Sequence, residues 1–237
     1  MPTYIHLVRH AQGFHNLCEA NHSLSDPDLT PLGKEQCAHL AKTFPHHNQV
    51  THLLASPLRR TLYTCLLSFA PALDHLKSQG GGEGEVKITA LPDLQEVSPL
   101  PCDTGSPPSA LSKEFDGEVD FTQVSDGWND KISASSPYEP EMEKLEARAR
   151  RARNWMREVG REWENAGRGD AHIVAVTHGG FLHFLTGIDG VRIEKGTGWE
   201  NTEWRTYEFV EGVMGKGGDD GEARLRETGE VGGGGGE

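Results

Sequence analysis

The sequence predicts an α/β fold, and three observations carry that expectation. Short apolar runs alternate with amphipathic stretches along most of the chain, the pattern that builds a sheet covered by helices. Two of the apolar runs lead into a histidine, His10 and His178, and a third leads into Ser56-Pro57 with Arg59 and Arg60 close behind. Open α/β sheets place their chemistry at the carboxyl ends of buried strands, where these residues fall. At 237 residues the chain can form one large domain with a well-formed core.

Tyr4, Ile5, Leu7 and Val8 read as a buried opening strand, with His6 a histidine satisfied within it. The chain then delivers Arg9, His10, His15 and Asn16 into one loop. A fixed cation beside His10 disfavours imidazolium and favours the neutral ring, the form that attacks an electrophile. Pro31 to Phe44 carries Cys37, Leu40, Ala41 and Phe44 at helical spacing. After the strand Leu53-Leu54-Ala55, Ser56 reads as an N-cap with Pro57 at the first position of a helix running to Leu73. Arg60 in its first turn opposes the helix dipole, and an anion held between the two would offset that cost. A glycine-rich connection over 79–85 precedes the strand Val86 to Leu91.

Leu94-Gln95-Glu96 places a carboxylate just past that strand, with Asp103 as the rival acid. Glu96 to Pro140 is long, rich in Pro, Ser and Asp, and weakly periodic, so it reads as a cap over the site. Trp128, Phe115 and Phe121 are its apolar anchors. A long helix then runs from about Glu141 to Glu164, with Met142, Leu145, Ala149, Ala152 and Met156 on one stripe. Its arginines, Arg148 among them, read as a solvated face. The strand Ile173 to Val176 ends in Thr177-His178-Gly179-Gly180, and Thr202 to Val210 is the last predicted strand. Residues 212–237 are glycine-rich and acidic and read as a disordered tail behind a domain of residues 1–211.

Four motifs in this order resemble the histidine phosphatase superfamily, which has the phosphoglycerate mutase-like fold. They are Arg9-His10-Ala11 with Asn16, Leu29-Thr30-Pro31-Leu32-Gly33 with Gln36, Ser56-Pro57-Leu58-Arg59-Arg60, and Thr177-His178-Gly179. Ala11 stands where the family motif has glycine. The resemblance implies a three-layer α/β/α sandwich with a mostly parallel central sheet and an inserted cap segment at about 96–140. It also implies a phosphatase in which His10 attacks phosphorus to give a phosphohistidine that water hydrolyses. Arg9, Arg60, His178 and Asn16, with Gly179 beside them, would hold the phosphoryl oxygens, and Glu96 would protonate the leaving alcohol. Two alternatives compete: a phosphoglycerate-mutase-type phosphotransferase, and a non-catalytic interaction module on the same fold.

Composition narrows the partners. The formal net charge of −13 argues against general nucleic-acid binding, and no apolar run is long enough to span a bilayer. The expected ligand is therefore a small phosphorylated substrate, with no membrane or nucleic-acid partner. Cys18, Cys37, Cys65 and Cys102 show no paired spacing, and no apolar leader opens the chain, so a reducing, cytoplasmic compartment is expected, a reading that leaves the nucleus open. The histidines show no zinc-like spacing, and neither a metal nor a cofactor is expected.

Overall fold

In the computed structural model, which describes residues 2–79, 86–187, 198–210 and 223–234, the strands join into one seven-stranded sheet. They are β1 (Thr3–Arg9), β2 (His52–Ala55), β3 (Ile88–Ala90), β4 (Val119–Asp120), β5 (Ala171–Thr177), β6 (Trp204–Phe209) and β7 (Leu225–Gly232), in the order β4-β3-β2-β5-β1-β6-β7. The first five are mutually parallel, whereas β6 runs antiparallel to β1 and β7 antiparallel to β6. Helices α1 (Pro31–Thr43), α2 (Arg59–Ser68), α3 (Ala70–Ser78), α4 (Pro108–Glu114), α5 (Met142–Asn165) and α6 (Gly179–Thr186) complete the fold.

Alternation along the central strands divides the core in two. Val8, Val174 and Val176 pack with Leu40, Leu58, Leu62 and Phe69 of the α1–α2 side. Ile5, Leu7, Ile173 and Ala175 pack with Ala149, Ala152, Met156, Phe181 and Leu182 of α5 and α6. Burial of both sheet faces explains why β1 and β5 read as nearly continuous apolar runs. The expected α/β/α sandwich with a mostly parallel sheet is the observed architecture.

Local chemistry accounts for the departures from the sequence-based reading. The helix expected from Pro57 to Leu73 is two helices that meet at Phe69, because Pro71 cannot donate to the carbonyl one turn back. Helix α2 starts at Arg59 with Leu58 as its cap, so Ser56 is not the N-cap. Asp26 serves that end instead, its Oδ1 accepting from Arg59 N at 3.0 Å.

The cap segment is not structureless. It contributes α4 and the edge strand β4, and Trp128 lies within the main apolar cluster with no exposed surface. Gly105 lies so close under the Trp128 ring that an added Cβ would stand 2.1 Å from it. Trp128→Ala is therefore expected to cost about 3–5 kcal/mol, as large aromatic truncations in cores do. Chemical denaturation checks this, and a loss under about 1 kcal/mol would mean that the segment is not packed as described.

The disordered-tail expectation for 212–237 is corrected over Leu225–Gly232, which form β7. An edge strand needs backbone partners more than an apolar face, and β6 supplies them. Polar pairs fasten it: Glu230 Oε1 lies 2.7 Å from His46 Nε2, and Thr206 Oγ1 donates to Glu230 Oε2 at 3.1 Å. Gly232 lets the Trp204 ring approach where a Cβ would meet it at 2.8 Å. Residues 212–222 and 235–237 of the expected tail, and 80–85 of the glycine-rich connection, lie outside the described residues. No helix among the described residues is long and apolar enough to cross a membrane.

Candidate active site

The carboxyl ends of adjacent parallel strands converge on one buried cluster. His10 follows β1, Ser56 follows β2 and His178 follows β5, while Glu96 comes from the segment after β3. Thr177 Oγ1 donates to Leu94 O at 2.6 Å and ties that last segment to the end of β5. Arg60, in the first turn of α2 and fully buried, reaches across the centre.

Arg60 fixes the state of both histidines. Its Nε donates to His10 Nε2 at 3.2 Å, so that nitrogen must be unprotonated. The proton then lies on Nδ1, which donates to Ala11 O at 2.7 Å. Arg60 Nη2 likewise donates to His178 Nδ1 at 2.9 Å, which leaves His178 Nε2–H to donate to Ser56 Oγ at 2.9 Å. Burial, and then Arg60, hold both imidazoles well below their ordinary pKa. The Arg9 charge acts on His10 in the direction the sequence suggested, but burial and Arg60 outweigh it. The result is a neutral His10 with its Nε2 lone pair facing a guanidinium, a nucleophile beside a ready-made anion clamp.

The remaining Arg60 donors meet Cys102 O at 2.6 Å and Asp103 Oδ1 at 2.8 Å. The two candidate acids are thereby driven apart. Burial pushes the Asp103 carboxyl up, but Arg60, the Ser98 hydroxyl and Lys131 together bring it below its usual value. Glu96 moves up, through burial and then through the Asp103 charge. Its Oε1 accepts from Val97 N at 2.8 Å and its Oε2 from Gly180 N at 3.2 Å. Gly180 leaves room for that carboxyl, since a Cβ would stand 2.5 Å from Glu96 Oε1 and displace it. Of the pair, Glu96 is suited to donate a proton and Asp103 to remain an anion.

Arg9, at the end of β1, donates through Nη1 to Trp199 O and keeps its buried Nε without a partner among the described residues. Asn201 Nδ2 braces the same strand end by donating to His10 O at 2.8 Å. The preceding loop is set by the second motif. Thr30 caps α1 by accepting from Gly33 N at 3.0 Å and donates to Gln12 Oε1 at 2.8 Å, while Gln36 Oε1 accepts from Gln12 N at 2.9 Å. Ala11 is buried without positive φ, and its N donates to Thr64 Oγ1 at 3.0 Å, so the methyl is accommodated where the motif has glycine.

Of the sequence-predicted residues, His10, Arg60, His178 and Glu96 come together, Arg9 flanks them, and Gly179 opens α6 beside His178. Asn16 is different: it is exposed, and its Oδ1 accepts from Gly13 N at 2.9 Å, so it shapes the loop. The buried loop residue is His15, whose ring lies 5.4 Å from that of His10 and whose pKa is pushed down to about 3 by burial and Arg60. Sequence reasoning missed Ser56 as the partner of His178, and Asn201. It also misplaced Arg148, which is fully buried against Phe181 with its guanidinium 4.2 Å from the ring centre. Its spacing of three from Leu145 and four to Ala152, on the apolar stripe, was the available signal. Among the described residues no group of three or more His, Cys, Asp or Glu is arranged to hold a metal ion.

Comparison with known proteins gives the family and the fold. The model of the histidine phosphatase superfamily (branch 1) matches residues 5–214. The Arabidopsis thaliana phosphoglycerate mutase-like protein 1 is 30% identical over 212 residues, 78% of this chain and 71% of that protein. The mycobacterial glucosyl-3-phosphoglycerate phosphatase shares the fold with a TM-score of 0.54 at 16% identity, over 95% of this chain and 96% of the other. A phosphoglycerate mutase from Bacillus anthracis shares it with a TM-score of 0.53 at 16% identity, covering 95% and 91%.

Proposed function

From the premise that this chain belongs to the histidine phosphatase superfamily, we propose that it hydrolyses a small phosphomonoester through a phosphohistidine on His10. The observation that carries this reading is the Arg60 hydrogen bond to His10 Nε2, which leaves that nitrogen unprotonated within a cationic pocket. In the first step Nε2 attacks phosphorus in line, the ester P–O bond breaks, and the Glu96 proton passes to the leaving oxygen. Arg60, Arg9 and His178 take up the charge on the equatorial oxygens. In the second step water attacks the phosphohistidine, gives a proton back to Glu96, and the P–N bond breaks to release phosphate.

Hydrolysis is favoured over mutase chemistry because a mutase needs further cations for a second phosphate. Within 96–140 the lysines are Lys113 and Lys131, and Lys131 gives its ammonium to three backbone carbonyls. A non-catalytic module is disfavoured because the nucleophile, the acid and the anion clamp are all present in consistent protonation states.

Glu96→Gln is expected to slow alkyl phosphates such as glycerol 2-phosphate far more than 4-nitrophenyl phosphate, whose leaving group needs no proton. The same sensitivity in Asp103→Asn but not in Glu96→Gln would transfer the acid role to Asp103. The kcat/KM profile is expected to be bell-shaped. Its acidic limb, protonation of His10, lies below the ordinary histidine value, and its basic limb, ionisation of Glu96, lies above the ordinary glutamate value. No step calls on a metal ion, so dialysis against a chelator is expected to leave turnover unchanged. Loss restored by zinc or magnesium would overturn that mechanism.

A further inference from the structure

The cap segment returns to the site in an unexpected role. Its residues 128–131 are fastened to residues 95–105 by a row of crossing hydrogen bonds. Gln95 Nε2 donates to Trp128 O at 2.9 Å, and Asn129 Nδ2 donates to Gly105 O at 2.7 Å. Lys131, almost fully buried, closes the row. Its Nζ donates to Glu96 O at 2.7 Å, Ser98 O at 3.0 Å and Asp103 O at 2.6 Å. Those contacts use all three ammonium hydrogens, so Lys131 has none left for a phosphate oxygen. Arg148 also directs Nη1 and Nη2 at the same Glu96 carbonyl, from 3.4 and 3.3 Å.

We propose that Lys131 is the positioning residue of the acid loop, holding Glu96 at the leaving-group oxygen and Asp103 on Arg60 from one buried point. The proposal rests on Glu96 being the proton donor. Three carbonyls that bend around a single ammonium fix the path of 96–103. That path delivers the Glu96 carboxyl to Gly180 N and the Asp103 carboxyl to Arg60. A lysine suits the site because its compact tetrahedral head matches three converging acceptors, which a planar guanidinium does not. Burial and then Arg148 bring the Lys131 ammonium down to about 7, while Asp103 and Glu96 act to keep it charged.

The test is a double-mutant cycle of Lys131→Met and Glu96→Gln, read as kcat and KM on glycerol 2-phosphate and on 4-nitrophenyl phosphate. Lys131→Met is expected to lower kcat on the alkyl ester on the order of ten- to a hundredfold, the scale at which misplacing a reacting group by about an ångström acts. KM should change little, and 4-nitrophenyl phosphate should be much less affected. In the Glu96→Gln background, Lys131→Met is expected to add little, because both act on one proton transfer. Equal losses on both substrates, additive with Glu96→Gln, would overturn the proposal in favour of a purely structural lysine. If Lys131→Met does not fold, Lys131→Gln, which keeps two donors, carries the same cycle. Leaving-group sensitivity in Glu96→Gln without it at position 131 overturns the role of Lys131 alone. Its absence in Glu96→Gln overturns the acid assignment and this proposal together.

Discussion

His10→Ala is expected to eliminate turnover and to prevent trapping of a phosphoenzyme that is labile in acid and stable in base. No other group in the cluster can replace the nucleophile. His178 has Nδ1 occupied by Arg60 and Nε2–H by Ser56, and it is neutral for the same reasons as His10. His15 lies beside His10, but the Arg60 hydrogen bonds go to His10 and His178, and the buried Nδ1 of His15 has no hydrogen-bond partner among the described residues to orient it for in-line attack. The fold should tolerate the change, because the backbone of His10 is held independently by Thr177 O and by Asn201. Rapid quenching with a phosphorus-labelled substrate reads the result directly. A phosphoenzyme of unchanged yield and lability in His10→Ala would end the phosphohistidine mechanism at this position.

Arg60→Ala is expected to lower kcat/KM by on the order of a hundred- to a thousandfold, the scale of one preorganised transition-state donor. Arg60 also neutralises Asp103 in a buried pair, and stranding that carboxylate should cost about 3–5 kcal/mol of stability. Arg60→Lys separates the two effects: it keeps the charge for Asp103 but cannot donate to His10, His178, Cys102 and Asp103 at once. Its stability should recover more than its rate. Arg59→Ala is the control. That side chain is partly exposed and pairs with Glu114 at 2.7 Å on the surface, so rate and stability should change only slightly. A reversed outcome for the two arginines would mean that the cluster around Arg60 is not the site of chemistry.

The residues of the candidate site were legible as a cluster because they stand at fixed places after apolar strands. His10, Arg60, His178 and Glu96 all stand near the carboxyl ends of runs whose burial shows in their composition. The periodicity of α1 and α5 likewise gave those helices within about a residue at each end. What composition misjudged were polar residues whose partners are distant in sequence. Leu225–Gly232 looked unable to pack, yet an edge strand is stabilised by the ladder it joins, and that ladder is β6. Arg148 looked like one arginine of a solvated face, yet Phe181 and the Glu96 carbonyl give its buried guanidinium a place to go.

The sequence by itself determined the sheet-and-helix alternation, the order of the motifs and the residue types of the site. Only the tertiary structure decided their protonation states and supports. Those follow from burial and from single hydrogen bonds across long separations: Arg60 to His10 and to Asp103, Ser56 to His178, and Lys131 to Glu96. A desolvated group takes its charge state from whichever neighbour the fold places within hydrogen-bond reach, and distance along the chain does not encode that neighbour.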